Sequence, residues 1–436
     1  MIRALHVRST LKALLVALTI VVPLGCSGSS SAAQSEIGPT EISIGEDVRR
    51  SLERLVADRL LSGATVIIAH DDRVLVDVTV GYADLERREP LRRDALFRLY
   101  SMSKPITSVA IMMLAEQGKL SLHDPAEKYL PELRHVRVYA SGRLDDMQTV
   151  PLDRPITGED LLTHNSGIAY HFTGNSPVHQ YYRRHGVMRD TPVGRMPGDG
   201  PPARSLDELV ERIGKAPLLH QPGDGFHYSY STTVLGAIIE RVTGRRLDEA
   251  LQEMLFTPLG MRDAGFFVTD ARLERFTTLY NATADGIEAI ERPETSDYRD
   301  PDRLLDGGGA LVSTAEDYLR FARMLANGGT LEGRRYLSPA SVRTMFSPHF
   351  RMAGAGAGEM DFGYGFAIGD AVSEAAGSLP AGTVRWSGSG NTYFLIDPQS
   401  GMIGLLMTHE LVSGAASARS AQFRSVPDRA FVSLDR

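Results

Sequence analysis

Apolar residues at Val48, Leu52, Leu55, Val56 and Leu60 recur at the 3.6-residue period of an amphipathic helix and predict one over 45–61. The next two apolar runs, 64–69 and 74–80, are short, rich in valine and isoleucine, and split by Asp71-Asp72, which predicts a β-hairpin. A short strand over 97–100 feeds straight into a helix over 104–117 that Gly118 closes. A brief helix over 160–163 stops at His164-Asn165-Ser166-Gly167, and longer ones are predicted over 232–242, ended by Gly244, and 315–325, ended near Gly328. Strand patterns return over 364–368, 383–386, 392–396 and 402–408. Between Tyr170 and Arg204 the chain is rich in Pro, Gly and His and holds no period, which predicts a long irregular loop serving as a lid or pocket wall.

Strands at both ends with helices between them predict an α+β layout, one sheet built from the two ends of the chain with helices packed on it. The sheet part spans about 45–120 and 300–436, and a mostly helical insertion about 121–299. Sites favour the cleft between two such parts. There is no internal repeat.

The N-terminal region reads as a targeting segment. Arg3, Arg8 and Lys12 form a basic start, and Ala13 opens an apolar run to Leu24 that is too short to span a bilayer comfortably. Residues 1–25 are therefore expected to be a signal peptide and 26–44 a flexible tether rich in Ser, Gly and Ala. Cys26, after Gly25, is the single cysteine, so no intrachain disulfide can form. A small residue followed by cysteine at the end of the apolar run resembles a bacterial lipoprotein processing site, although Pro23 stands where a leucine is usual. It predicts lipidation of Cys26 and an exported protein, periplasmic or in the cell envelope, anchored to a membrane. The alternative is ordinary cleavage near Ser31-Ala32-Ala33. The net charge of −7, with no basic block, argues against nucleic acid as a partner.

Ser101 and Lys104 carry the first candidate chemistry. Three residues apart at a helix start, they share one face, so a lysine kept neutral by burial could take the proton of the serine hydroxyl. The same spacing at Ser9 and Lys12 falls in the targeting segment and is accidental. A serine at a helix start also sits beside free backbone N–H groups that can hold an oxyanion. Tyr228, just before a helix, can relay a proton if it lies beside that lysine; otherwise it and Tyr230 are packed anchors. Trp386-Ser387-Gly388-Ser389-Gly390 lies between two strands, where glycine on an edge strand permits close backbone approach and a backbone N–H could be a second oxyanion donor. The chain has no Gly-x-Ser-x-Gly, phosphate loop, His-Glu-x-x-His or cysteine cluster. His164, His220 and His227 read as hydrogen-bonded structural residues. No metal and no cofactor are expected.

Taken in order, several segments resemble the serine β-lactamase-like family, which includes class C β-lactamases, D-alanyl-D-alanine peptidases and related esterases. They are Gly81-Tyr82-Ala83-Asp84, Phe97-Arg98-Leu99-Tyr100-Ser101-Met102-Ser103-Lys104, the run from Gly118 to Pro125, and Leu161-Leu162-Thr163-His164-Asn165-Ser166-Gly167. Pro222-Gly223 with Tyr228-Ser229, the run from Gly307 to Ala315, Gly363-Tyr364-Gly365-Phe366 and Trp386-Ser387-Gly388 complete the series. The resemblance runs from about Glu46 to about Glu410. It implies a mainly antiparallel sheet flanked by helices, with Ser101 the acylated nucleophile, Lys104 its base partner and Tyr228 a proton relay. It also implies an oxyanion hole made by the N–H groups of Ser101 and Ser389, with Trp386, Ser387 and Gly388 as the third motif.

Two departures shape the expected substrate. The β-lactamases of the family carry an asparagine where this chain has Tyr230, and Lys-Thr-Gly where it has Trp386-Ser387-Gly388. The absent lysine would pair with a substrate carboxylate. A tryptophan there is typical of the esterase branch and suits a neutral group, with Tyr230 and Trp386 as substrate walls. The expected activity is hydrolysis of small-molecule carboxylic esters through an acyl-enzyme on Ser101. The alternatives are a β-lactamase or D-Ala-D-Ala peptidase, a non-catalytic sensor domain, and acyl transfer to an alcohol or amine instead of water.

Overall fold

The strand Gly63–His70 is buried from Gly63 to Ala69 and mostly apolar because both of its faces are covered. Val66 and Ile68 point to one side, Ile67 and Ala69 to the other. It joins the two ends of the chain: it pairs antiparallel with Arg73–Asp84 on one side and with Met402–Met407 on the other, Val66 opposite Leu406. The sheet continues outward through Tyr393–Ile396, Val384–Ser387, Ala367–Ile368, Met360–Phe362 and Phe350–Met352, and on its other flank ends at Glu89–Pro90. Among the described residues the sheet has nine strands, each pair of neighbours antiparallel. The computed structural model describes residues 38–191, 195–283, 286–352, 360–369, 379–411 and 418–435. The expected leader, Cys26 and most of the tether lie outside the described residues.

One sheet face is covered by Pro39–Ala57 and Ala418–Leu434, which bring Leu52, Leu55, Phe423 and Phe431 onto Val66, Ile68, Leu395 and Leu406. The other carries the main core, where Ser103–Glu116 and Ala315–Ala326 set Ile106, Ala110, Leu319 and Ala322 against Ile67, Phe394, Leu405 and Met407. Ser103–Glu116 is buried on every side from Ser103 to Leu114, as befits a helix in the middle of a domain.

Several elements differ from expectation. The first helix starts at Pro39, which suits a first-turn position, and ends at Ala57 because Arg59 turns left-handed at φ 55°. The expected strand over 97–100 keeps only Phe97–Arg98, paired with Val312–Ser313, before Tyr100 turns at φ 45°. The 170–204 stretch contains a helix, Pro177–Arg184, whose Val178 and Tyr182 are buried one turn apart. The 121–299 region also holds the hairpins Val138–Ser141 with Gln148–Val150 and Leu279–Thr283 with Gly286–Glu291, the latter joined in parallel by Glu410–Leu411. Among the described residues no helix is long and apolar enough to cross a membrane.

Candidate active site

Ser101 sits in a single 3₁₀ turn, Tyr100–Met102, that runs directly into Ser103–Glu116. Two anchors hold the turn. The strand pair before it fixes its approach, with Leu99 N–H donating to the Leu311 carbonyl at 2.9 Å. Arg98 is buried, lies 3.9 Å over the Phe276 ring, and forms an ion pair with Glu291. The left-handed Tyr100 then swings Ser101 outward, a strained conformation of the kind stored at functional sites. Ser101 is thereby left partly exposed while Lys104, one turn on, is buried.

Three groups meet Lys104 Nζ: the Gly308 carbonyl at 2.6 Å, the Tyr170 hydroxyl at 3.0 Å and Ser101 Oγ at 3.3 Å. Tyr228 O–H lies 2.6 Å from Ser101 Oγ, and Lys104 Nζ is 4.6 Å from the centre of the Tyr228 ring. Burial dominates the lysine's acidity and brings its pKa down to about 7; Asp306 opposes that shift and Arg189 assists it. Burial likewise pushes Tyr228 and Tyr170 up, so both hydroxyls are protonated at neutral pH. A half-neutral amine, a nucleophilic hydroxyl and a phenol thus share one hydrogen-bonded cluster, which can pass a proton away from Ser101 and back.

Loop geometry places Tyr228. Thr157 and Asp160 cap the helix Gly158–Leu162 reciprocally, His164 turns left-handed at φ 57°, and the His164 carbonyl accepts the His227 N–H at 2.8 Å. His164 Nδ1 is 3.1 Å from Ser229 Oγ, and His227 Nε2 is 2.9 Å from Thr173 Oγ1. Burial lowers the pKa of both rings, so they stay neutral braces; His220 bonds the Gln221 carbonyl through Nδ1. Among the described residues no group of three or more metal-binding side chains forms.

The third motif is placed differently from its expected setting. Its strand, Val384–Ser387, is interior to the sheet and not an edge, because Ala367–Ile368 and Tyr393–Ile396 flank it. Gly388 is buried against protein and not open to a ligand: a Cβ there would lie 2.2 Å from the Leu99 carbonyl. A Cβ on Gly390 would meet the Tyr100 ring at 3.2 Å. These two glycines press the turn bearing exposed Ser389 against the residues that precede Ser101. Trp386 lies with its ring 5.8 Å from Tyr228 and 5.3 Å from Phe362; its buried N–H is turned toward the Tyr228 hydroxyl without reaching hydrogen-bond geometry. Ser387 is partly exposed at the strand's end. Tyr230 is not a surface wall: it is buried edge-on to Tyr170, with its hydroxyl 2.9 Å from His171 Nδ1.

Sequence reasoning missed Tyr170, Gly308, Asp306 and Arg189. The signal for two of them was present in Asp306-Gly307-Gly308-Gly309. A Cβ on Gly307 or Gly308 would crowd Thr107 Oγ1 or Thr233 Oγ1 at 3.0 and 2.9 Å, so the chain can pass under the lysine only as glycine.

A sheet built from both chain ends, a central helix headed by Ser-x-x-Lys, and a tyrosine and a glycine turn facing it define a serine acyl-transfer enzyme. Comparison with known proteins agrees: the Beta-lactamase family model matches residues 48–425, and the chain belongs to that family. It is 33% identical over 390 residues to Esterase EstB of Burkholderia gladioli, covering 85% of this chain and 92% of that one. It is 35% identical over 379 residues to Protein Rv1367c of Mycobacterium tuberculosis, covering 83% of this chain and 89% of that one. Among solved structures, EstCE1, "a hydrolase with promiscuous acyltransferase activity", superposes with a TM-score of 0.74 at 27% identity, over 89% of this chain and 99% of that one. These relatives set the chain in the esterase branch of the family.

Proposed function

We propose that this protein is a serine hydrolase of carboxylic esters that works through an acyl-enzyme on Ser101. The observation that carries the reading is the 2.6 Å contact of Tyr228 with Ser101 beside a buried Lys104 whose pKa is near neutrality. In this scheme Ser101 Oγ attacks the ester carbonyl as Lys104, with Tyr228, takes its proton. The backbone N–H groups of Ser101 and Ser389 hold the oxyanion; the first of them is free of an intrahelical acceptor by its place at the helix start. The proton returns through Tyr228 to the departing alcohol. Water, activated by the same pair, then attacks the acyl carbon, and Ser101 leaves with its proton restored.

The ester preference follows from Trp386. A β-lactam or a D-Ala terminus brings a carboxylate, and the third motif offers it an indole where an ammonium would be needed. The test is turnover of short-chain p-nitrophenyl esters and of a chromogenic cephalosporin by wild type and Ser101→Ala. Ester turnover lost in the variant supports the reading. Undiminished ester turnover in it, or cephalosporin turnover dominating in the wild type, sinks the reading. Transfer to an alcohol is a second outcome of the same acyl-enzyme, favoured by the acyltransferase activity in the description of EstCE1. A methanol-dependent yield of methyl ester measures it.

The leader supports a further proposal, that the enzyme is exported and held at the cell envelope through lipidated Cys26. Cys26→Ser is expected to move the protein from the membrane fraction to the soluble one; an unchanged distribution refutes the anchor.

A further inference from the structure

Beneath Lys104 lies a charged pair that the acyl-transfer scheme does not use. Asp306 is buried, and its Oδ1 accepts Thr233 Oγ1–H at 2.6 Å and the Gly308 N–H at 2.8 Å. The carbonyl of that same Gly308 is the one that receives Lys104 Nζ at 2.6 Å. A single glycine therefore joins the carboxylate to the lysine. The second oxygen of Asp306 lies 3.7 Å from Arg189 Nε, and the Arg189 side chain is only 11% exposed. Arg189 comes from the 170–204 stretch, whose Tyr170 also touches the lysine and whose His171 meets Tyr230.

Among the described residues the other groups facing the lysine are uncharged. They are the Ser101 hydroxyl, the protonated Tyr170 and Tyr228, and His164, which burial keeps neutral. Asp306 alone would favour an ammonium at Lys104, and an ammonium cannot accept the serine's proton. Arg189 is faced in turn by Asp297 and Tyr298, which favour its charged form.

We propose that Arg189 is a positioning residue that cancels the Asp306 charge, so that the carboxylate can brace the glycine turn under Lys104 without holding a proton on the lysine. The 170–204 stretch then acts as part of the proton-transfer machinery as well as a wall of the cleft. The inference rests on the reading of Lys104 as the base.

The experiment is the pH profile of kcat/KM for phenyl acetate hydrolysis, followed by pH-stat titration. Loss of the cation leaves Asp306 unopposed, so the acid limb of Arg189→Met should move to higher pH by about one unit or more. Activity at pH 7 should then fall by about fivefold or more and recover near pH 9. Arg189→Lys should stay close to wild type, and adding Asp306→Asn to Arg189→Met should bring the limb back. A loss that is equal at every pH, with the limb unmoved, overturns the proposal and leaves Arg189 a structural residue. Should Arg189→Met fail to fold, Asp306→Asn alone decides: its limb moves to lower pH if the proposal holds, and an unmoved limb refutes it. Lys104→Met separates the two levels. A residual activity with the wild-type limb would remove the lysine as base, whatever Arg189 does.

Discussion

Two constellations that set a serine beside titratable partners look alike on paper, and of this pair one is arranged for chemistry. In the first, Ser101 is partly exposed and meets Tyr228 and Lys104, the lysine lying one helical turn away. In the second, Ser62 Oγ lies 2.6 Å from His409 Nε2 and also bonds Glu410, which reads on paper as a serine, histidine and carboxylate triad. All three are sealed from solvent. The order of bonds is also wrong: Glu410 holds the serine's own hydroxyl and N–H, while His409 Nδ1 faces the Tyr82 carbonyl without meeting it in hydrogen-bond geometry. A catalytic carboxylate would orient the histidine instead. Glu410 and Thr408 brace the third-motif turn: Asn391 Nδ2 donates to the Glu410 carbonyl at 2.8 Å and Thr408 Oγ1 to the Gly390 carbonyl at 2.6 Å. Access and bond direction, more than residue types, separate the two.

The sharpest way to break this comparison is to remove each serine hydroxyl. Ser101→Ala should lower kcat for ester hydrolysis by a factor on the order of 10³ or more and leave the fold intact. Ser62→Ala should leave kcat within about twofold and cost about 1–3 kcal/mol of stability in urea unfolding, because Glu410 and His409 lose a buried partner. If Ser62→Ala proved as inactive as Ser101→Ala while still folded, the second cluster would have to be drawn into the mechanism. Tyr228→Phe comes next. It keeps the ring against Trp386 and removes the relay, so kcat should fall on the order of 10²-fold with little change in KM. An unaltered kcat would assign the relay to Tyr170.

The two clusters also differ in how they tie stability to pH. Unfolded, Lys104 keeps its proton up to its ordinary value near 10.5; folded, it yields it near 7. Between those limits the unfolded chain binds more protons, so this residue makes stability rise as pH climbs from about 7 toward 10, and adds no slope below 7. Glu410 runs the other way: burial raises its pKa from 4.5 to about 7, so the folded chain binds more protons and stability falls as pH rises through that window. Lys104→Met should therefore abolish activity, flatten the alkaline slope and stabilise the protein at pH 7 by about 1–3 kcal/mol, the usual sign for replacing a costly buried charge. Glu410→Gln should alter the slope between 4.5 and 7 and leave the alkaline slope in place. Urea midpoints across pH 5–10 check both, and an alkaline slope surviving in Lys104→Met would refute its assignment.

How much of this was legible in the sequence differs between its local and long-range parts. Ser101 with Lys104 was marked as a candidate by its spacing at a helix start, and Tyr228 only by the ordered motifs that resemble the family; the structure brings the three into one hydrogen-bonded cluster. The hairpin and the closing strands were readable because strands covered on both faces carry short, mostly apolar runs, as in Gly63–His70 and Met402–Met407. The Ala418–Leu434 helix was overlooked although Phe423, Val426, Ala430 and Phe431 keep a helical spacing, since Pro427 stands inside it. Arg189 was not legible, since nothing local marks it as buried; Asp306 stood beside the legible glycine run 307–309, but its pairing with Arg189 spans more than a hundred residues. Tyr230 and Gly388 were assigned to the substrate by motif position, whereas packing commits them to His171 and to the Leu99 carbonyl.

The smallest expected effect tests whether the two regions are separate or merely adjacent. Thr408→Val keeps the side chain's shape and removes the hydroxyl that holds the Gly390 carbonyl. That carbonyl lies in the same turn as Ser389, so the variant loosens one wall of the proposed oxyanion hole without touching Ser101, Lys104 or Tyr228. Stability should drop by about 1–2 kcal/mol, since a buried acceptor is left unpaired. If Ser389 N–H holds charge that develops only in the transition state, kcat should fall a few-fold while KM stays put. A rise in KM at constant kcat would instead place the turn in ground-state binding. Unchanged kinetics with the stability loss intact would show that Gly388 and Gly390, pressed on Leu99 and Tyr100, hold the turn unaided, and that the second cluster serves the fold alone.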